Sequence, residues 1–109
     1  MPKLKLTPLP SAAFQIMLSL ADEDLHGYEI MRRVEEQTDG RTRLGPGTLY
    51  GALSRLEGRD LIEALPSEDR RRPYKITAEG SAALAEQLAM LDRVVDTGMK
   101  RLRAAGATS

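Results

Sequence analysis

The sequence contains no cysteine and no tryptophan, a single phenylalanine and a single histidine. Without cysteine there is no disulfide and no thiolate chemistry, which suits a reducing compartment, and a cytoplasmic location is expected. One histidine, His26, cannot assemble an ordinary zinc centre, which takes three or four nitrogen or sulfur ligands. It is expected to cap a helix or lie exposed, and no metal or cofactor is expected. No nucleophile–base pair stands out, and Gly45, Gly47 and Gly51 match neither the phosphate-loop nor the dinucleotide glycine pattern. An enzyme is therefore not expected. No apolar run approaches the roughly 18 residues of a membrane span. Met1 to Pro10 carries Lys3 and Lys5 with no continuous apolar segment behind them, so no signal peptide is expected.

Net charge is absent too, with 16 Lys and Arg against 16 Asp and Glu. A chain that binds nucleic acid usually shows a basic excess. Here the excess is local: residues 1–40 sum to −3, residues 41–75 to +3, and residues 76–109 to zero. A positive footprint therefore has room in the middle third.

What is present is one soluble globular domain: 109 residues, 41% of them hydrophobic and 29% charged. A chain of this size buries only about two-thirds of its unfolded surface, so a second copy would add usefully to a modest core. Residues 1–10, with Pro2, Pro8 and Pro10, read as an arm. Ser11 is placed to cap a first helix, whose Phe14, Met17, Leu18 and Ala21 share a face. A second helix is expected from about Gly27 to Thr38, closed by Asp39 and Gly40. Ile30 and Val34 form one stripe of it, and Tyr28, Met31 and Glu35 an adjoining one. Tyr28 is expected in the core, its alternative role being a hydroxyl contact to a phosphate. Arg41 to Gly47 reads as a loop. A third helix follows from near Thr48 to about Arg59, with Leu49, Ala52, Leu53 and Leu56 in a buried stripe. Leu61 to Leu65 and Pro73 to Thr77 read as two strands of a hairpin with an arginine-rich tip. A long helix opened by Thr77 runs to about Arg103. In it Leu84, Leu88, Leu91, Val95 and Leu102 recur at alternating steps of four and three, a heptad seam about 27 Å long. Gly98 holds the one missing slot, either allowing close helix approach or leaving a gap.

The implied fold is mainly α with a small β-hairpin, a winged helix-turn-helix with a long C-terminal helix. Residues 11–77 would form the DNA-binding domain, residues 78–104 the dimerisation helix, and residues 105–109 a tail. In such a fold the third helix docks by its apolar face and offers a small polar face to a major groove about 12 Å wide. Thr48, Tyr50, Gly51, Ser54 and Arg55 supply that face. Gly51 costs up to about 1 kcal/mol against alanine inside a helix, which a close backbone approach to a partner would explain. At the hairpin, Arg70, Arg71, Arg72 and Lys75 can meet phosphates, and Tyr74 can add a hydroxyl contact. Arg41 and Arg43 are weaker candidates. The bland alternatives are a solvated helix face, solubilising arginines partly paired with Glu68 and Asp69, and a seam that packs within the chain. The seam outruns what a small winged domain can cover, however, so a homodimer is expected.

Three stretches carry a family resemblance: His26-Gly27-Tyr28-Glu29-Ile30, then Gly47-Thr48-Leu49-Tyr50-Gly51-Ala52-Leu53 through Leu56-Glu57, then Arg71-Arg72-Pro73-Tyr74-Lys75-Ile76-Thr77 through Gly80. In them the chain resembles the PadR family of bacterial regulators, in its short branch with a single C-terminal helix. The resemblance implies a homodimer joined through the C-terminal helix with help from the first. It also implies repression through inverted-repeat operators in double-stranded DNA, relieved by a small hydrophobic or aromatic effector. It places Thr48, Tyr50, Gly51 and Ser54 at the DNA, and Arg71, Arg72 and Lys75 in the wing. The chain departs from members that sandwich planar drugs between tryptophans, since it has none. A protein-interaction module or a ligand-binding dimer with little DNA affinity is the competing expectation. Substitution of Ser54 or Tyr50 is expected to change which sequences bind.

Overall fold

A computed structural model describes residues 11–68 and 71–106. Its elements are α1 (Ala12–Ser19), β1 (Leu25–His26), α2 (Gly27–Gln37), α3 (Pro46–Gly58), β2 (Ile62–Ala64), β3 (Pro73–Ile76) and α4 (Ala78–Ala104). The fold is mainly helical with a small antiparallel sheet and a long C-terminal helix. The arm assigned to residues 1–10, Arg70 of the wing and residues 107–109 of the expected tail lie outside the described residues.

Ser11 caps α1 by accepting the Phe14 N–H at 3.4 Å. The buried set differs from the expected stripe: Ile16 and Leu20 are fully buried alongside Phe14 and Met17, while Leu18 is half-buried and Ala21 exposed past the helix end. The reason is that α1 packs against α2, α3 and α4, so no single face suffices. Even Gln15 and Ser19 are enclosed. The Ser19 hydroxyl donates to the Ile16 carbonyl at 2.6 Å, and Gln37 Nε2 donates to the Gln15 side-chain Oε1 at 2.9 Å, so neither enclosed side chain is left without a partner.

At the other end of α2, Thr38 donates its hydroxyl to the Val34 carbonyl at 2.8 Å and accepts the Thr42 N–H at 3.0 Å. Asp39 and Gly40 then take left-handed backbone angles, φ 54° and 77°, and reverse the chain. The third helix begins earlier than expected, because Pro46 occupies its first turn, where a missing N–H costs nothing and the fixed φ already suits a helix. Its docking stripe, Leu49, Ala52, Leu53 and Leu56, is buried as expected.

The sheet holds a strand beyond the expected hairpin. β3 lies centrally, with β2 on one side (Ile62 opposite Ile76) and β1 on the other (Leu25 opposite Tyr74, His26 opposite Pro73). Two residues are too few to show alternation, so β1 had no sequence signature. Its effect is to tie the start of α2 to the wing.

α4 starts against the turn that follows α3. Thr77 donates its backbone N–H to the Leu61 carbonyl at 3.1 Å and its hydroxyl to the Asp60 carbonyl at 2.7 Å. The same hydroxyl accepts the Gly80 N–H at 2.9 Å. A methyl added at Gly80 would overlap the Leu61 carbonyl oxygen and lie 2.8 Å from the Ile76 side chain. Leu84 is buried one turn further on, in the chain's own core. It was expected in the dimer seam; within the single chain it is already spent. Gly80→Ala is expected to destabilise the chain by about 1–3 kcal/mol through overpacking. Ala at Gly58, which has nothing within 4 Å, should cost far less. Urea denaturation of the two variants checks this, and equal midpoints would refute the close contact.

Candidate nucleic-acid interface

The outward face of α3 carries the residues named for it. Thr48, Ser54 and Arg55 are exposed and Tyr50 is 52% exposed, while Gly51 is half-buried. A methyl built on Gly51 would meet only Arg55 Nη1, at 3.7 Å, an ordinary contact. Nothing among the described residues therefore requires glycine at that position.

Arg71, Arg72 and Lys75 are exposed on the wing. Tyr74 is less available than expected. It is half-buried against the core, and burial, with Glu57 and Tyr50 nearby, raises its phenol above the usual range. The ion pairs of the described residues do not involve these side chains: Arg33 with Asp22 (2.9 Å) and Glu23 (3.1 Å), Arg43 with Glu35 (2.7 Å), Lys100 with Asp96 (3.0 Å), and His26 with Glu29 (2.9 Å). Arg55, Arg71, Arg72 and Lys75 thus keep their charge unneutralised among the described residues. Arg43, a weaker candidate from the start, is largely neutralised by Glu35.

β1 brings the wing to the start of α2, and the two enclose a cleft of about 160 Å³ with α3. Its walls are His26, Gly27 and Tyr28 from α2 and its cap, Tyr50 from α3, and Arg71, Arg72 and Tyr74 from the wing. His26 caps the helix: Glu29 accepts its backbone N–H at 2.8 Å and lies 2.9 Å from its Nδ1. The backbone hydrogen bond, reinforced by the ring, holds the Glu29 carboxyl below its ordinary pKa. That cap charge is present at neutral pH and is lost as pH falls through the lowered value.

Tyr28 was expected in the core and is instead 63% exposed at this cleft. The signal was in the helix geometry: at about 100° per residue Tyr28 stands roughly 160° from Ile30, on the side away from the buried stripe. Among the described residues no cluster of His, Asp and Glu is fit to hold a metal. No helix of these residues is long and apolar enough to cross a membrane.

A small helical domain that presents a polar helix face and a basic wing side by side is a winged-helix nucleic-acid-binding type. Residues 16–86 match the transcriptional regulator PadR-like family. The chain is 41% identical over 83 residues to an uncharacterized 37.1 kDa protein in transposon TN4556 of Streptomyces fradiae, covering 76% of this chain and 24% of that one. It is 36% identical over 85 residues to the transcriptional regulator Rv3488 of Mycobacterium tuberculosis, covering 72% and 74%. The solved PadR-like transcription factor of Bacteroides fragilis is similar in fold, with a TM-score of 0.70 and 29% identity over 81% of this chain and 86% of that one. The chain belongs to the PadR-like family of transcriptional regulators, whose members regulate transcription and are not enzymes.

Proposed function

We propose that the chain acts as a homodimeric, sequence-specific DNA-binding regulator, a cytoplasmic repressor of promoters that carry an inverted repeat. The observation that carries this reading is the shared cleft: the wing arginines and Tyr50 from the outward face of α3 line the same depression. A groove-bound α3 therefore carries the wing onto the adjacent phosphates. On this reading Thr48, Gly51, Ser54 and Arg55 meet base edges, and Arg71, Arg72, Lys75 and the neighbouring Arg70 supply phosphate contacts.

The dimer reading rests on the exposed apolar side of α4. Leu88, Leu91, Val95 and Leu102 are 41%, 37%, 62% and 56% exposed, an arrangement that water disfavours and a second α4 would bury. Twofold symmetry would then set half-site centres about 10 bp apart, or a multiple of that. Release by a small hydrophobic effector follows the family pattern, and Met90 and Val94 on the flank of α4, beside Gly98 of the seam, offer such a compound an apolar surface.

Fluorescence anisotropy on a duplex from the chain's own upstream region, at several salt concentrations, tests the DNA reading against a scrambled duplex. Arg71→Ala and Arg72→Ala should weaken binding to both duplexes and each lower the salt slope by about one. Ser54→Ala should change the base preference and leave the slope as it is. Unchanged slopes in the arginine variants would remove the wing assignment, and wild-type chain that binds neither duplex would favour a protein-interaction role.

Oligomeric state separates the two ends of the seam. Val95→Asp should yield folded monomers in sedimentation equilibrium. Leu84→Ala should instead cost about 2–5 kcal/mol of stability as a cavity in the protomer. A Val95→Asp chain that remains dimeric would place the interface elsewhere.

A further inference from the structure

Gly27 opens α2 at a position where alanine would form helix better, and its φ is not positive, so no backbone conformation requires glycine there. Space does. A Cβ at Gly27 would lie 2.7 Å from the Tyr50 hydroxyl, 3.2 Å from Tyr50 Cζ and 3.3 Å from Leu49 Cδ2. The Tyr50 ring therefore lies against the first turn of α2 and lines the cleft together with Tyr28, Arg71 and Arg72.

We propose that Gly27 is a positioning residue whose missing side chain seats Tyr50 against α2, and that Tyr50, so seated, contacts a phosphate of the duplex rather than a base edge. The inference rests on the DNA-binding reading above and changes the role expected for Tyr50 from its place on α3. A base reader must project away from the helices that support it. The Tyr50 hydroxyl instead reaches the helix that crosses the backbone in a helix-turn-helix. Among its neighbours in the cleft, a second exposed phenol and two guanidinium groups suit a phosphate.

The test measures the full chain on duplexes selected from random DNA and on their single-base variants. Tyr50→Phe and Gly27→Ala should each weaken binding about tenfold on every duplex, the worth of one hydrogen bond to a charged acceptor, with the ranking of bases unchanged. Gly27→Ala combined with Tyr50→Ala should bind no more weakly than Tyr50→Ala alone, because the glycine acts only through the ring. A changed base ranking in Tyr50→Phe, additive losses in the double variant, or wild-type binding by Gly27→Ala would each overturn the proposal. So would a double variant that fails to fold, since Leu49 rather than Tyr50 would then demand the glycine. Failure of the wild-type chain to bind any duplex removes the DNA reading itself; wild-type binding with any of the other results removes only this inference.

Discussion

The structure turns on a junction of a few atoms: the Thr77 cap of α4 set against the Asp60 and Leu61 carbonyls. Those carbonyls close the turn after α3, and Thr77 directly follows β3. One side chain and one backbone N–H thus join the polar-faced helix, the wing and the long helix. Gly80 makes the approach possible, since any side chain there meets the Leu61 carbonyl, which belongs to the backbone and cannot rotate aside. Leu84 then anchors the next turn in the same core as Leu49, Leu53 and Ile62. The orientation of α4 relative to α3 is therefore set by packed backbone rather than by a linker.

Zero net charge loses its force as an argument once the fold is known. Four of the acidic groups of the first third are turned to structural ends: Asp22 and Glu23 hold Arg33, Glu29 caps α2, and Glu35 pairs with Arg43. Asp22 is held below its ordinary pKa chiefly by its hydrogen bond to Arg33, so this pairing persists well below neutrality. Among the described residues, Arg55, Arg71, Arg72 and Lys75 are not spent in this way. What a polyanion would meet is the local field of that face, which total charge does not report.

Much of this was legible from residue spacing. The stripe Leu49, Ala52, Leu53 and Leu56 identified α3 and its docked face, and the heptad steps identified α4. What escaped was set by contacts distant in sequence. α1 is enclosed on nearly all sides, so its face could not be read as a stripe. β1 exists only because β3 pairs with it, and Leu84 continues the heptad of α4 while serving the protomer core. Tyr28 was misassigned by residue type, an aromatic taken for core, although helical phase placed it outside. The role of Gly27 lies in neither period nor propensity: its reason is a ring on another helix, 23 positions away in the chain.

α4 is 27 residues long, about 40 Å, and beyond Leu84 its apolar side chains are exposed. Their arc is too broad for a single seam. Leu88, Leu91, Val95 and Leu102 share one stripe, but Val94 and Met90 stand roughly 90° to 130° away from it at about 100° per residue. Pairing of two α4 helices would leave that flank open, and α1 has little surface left to cover it, since Phe14, Gln15, Ile16, Met17 and Ser19 are all buried in their own protomer. In a dimer joined through α4, a compound on the flank of Met90 and Val94 would therefore press against the helix pairing rather than against the winged domain. Thr77 and Gly80 hold the start of α4 against the turn after α3, so the apolar flank and the polar-faced helix are joined through packed backbone.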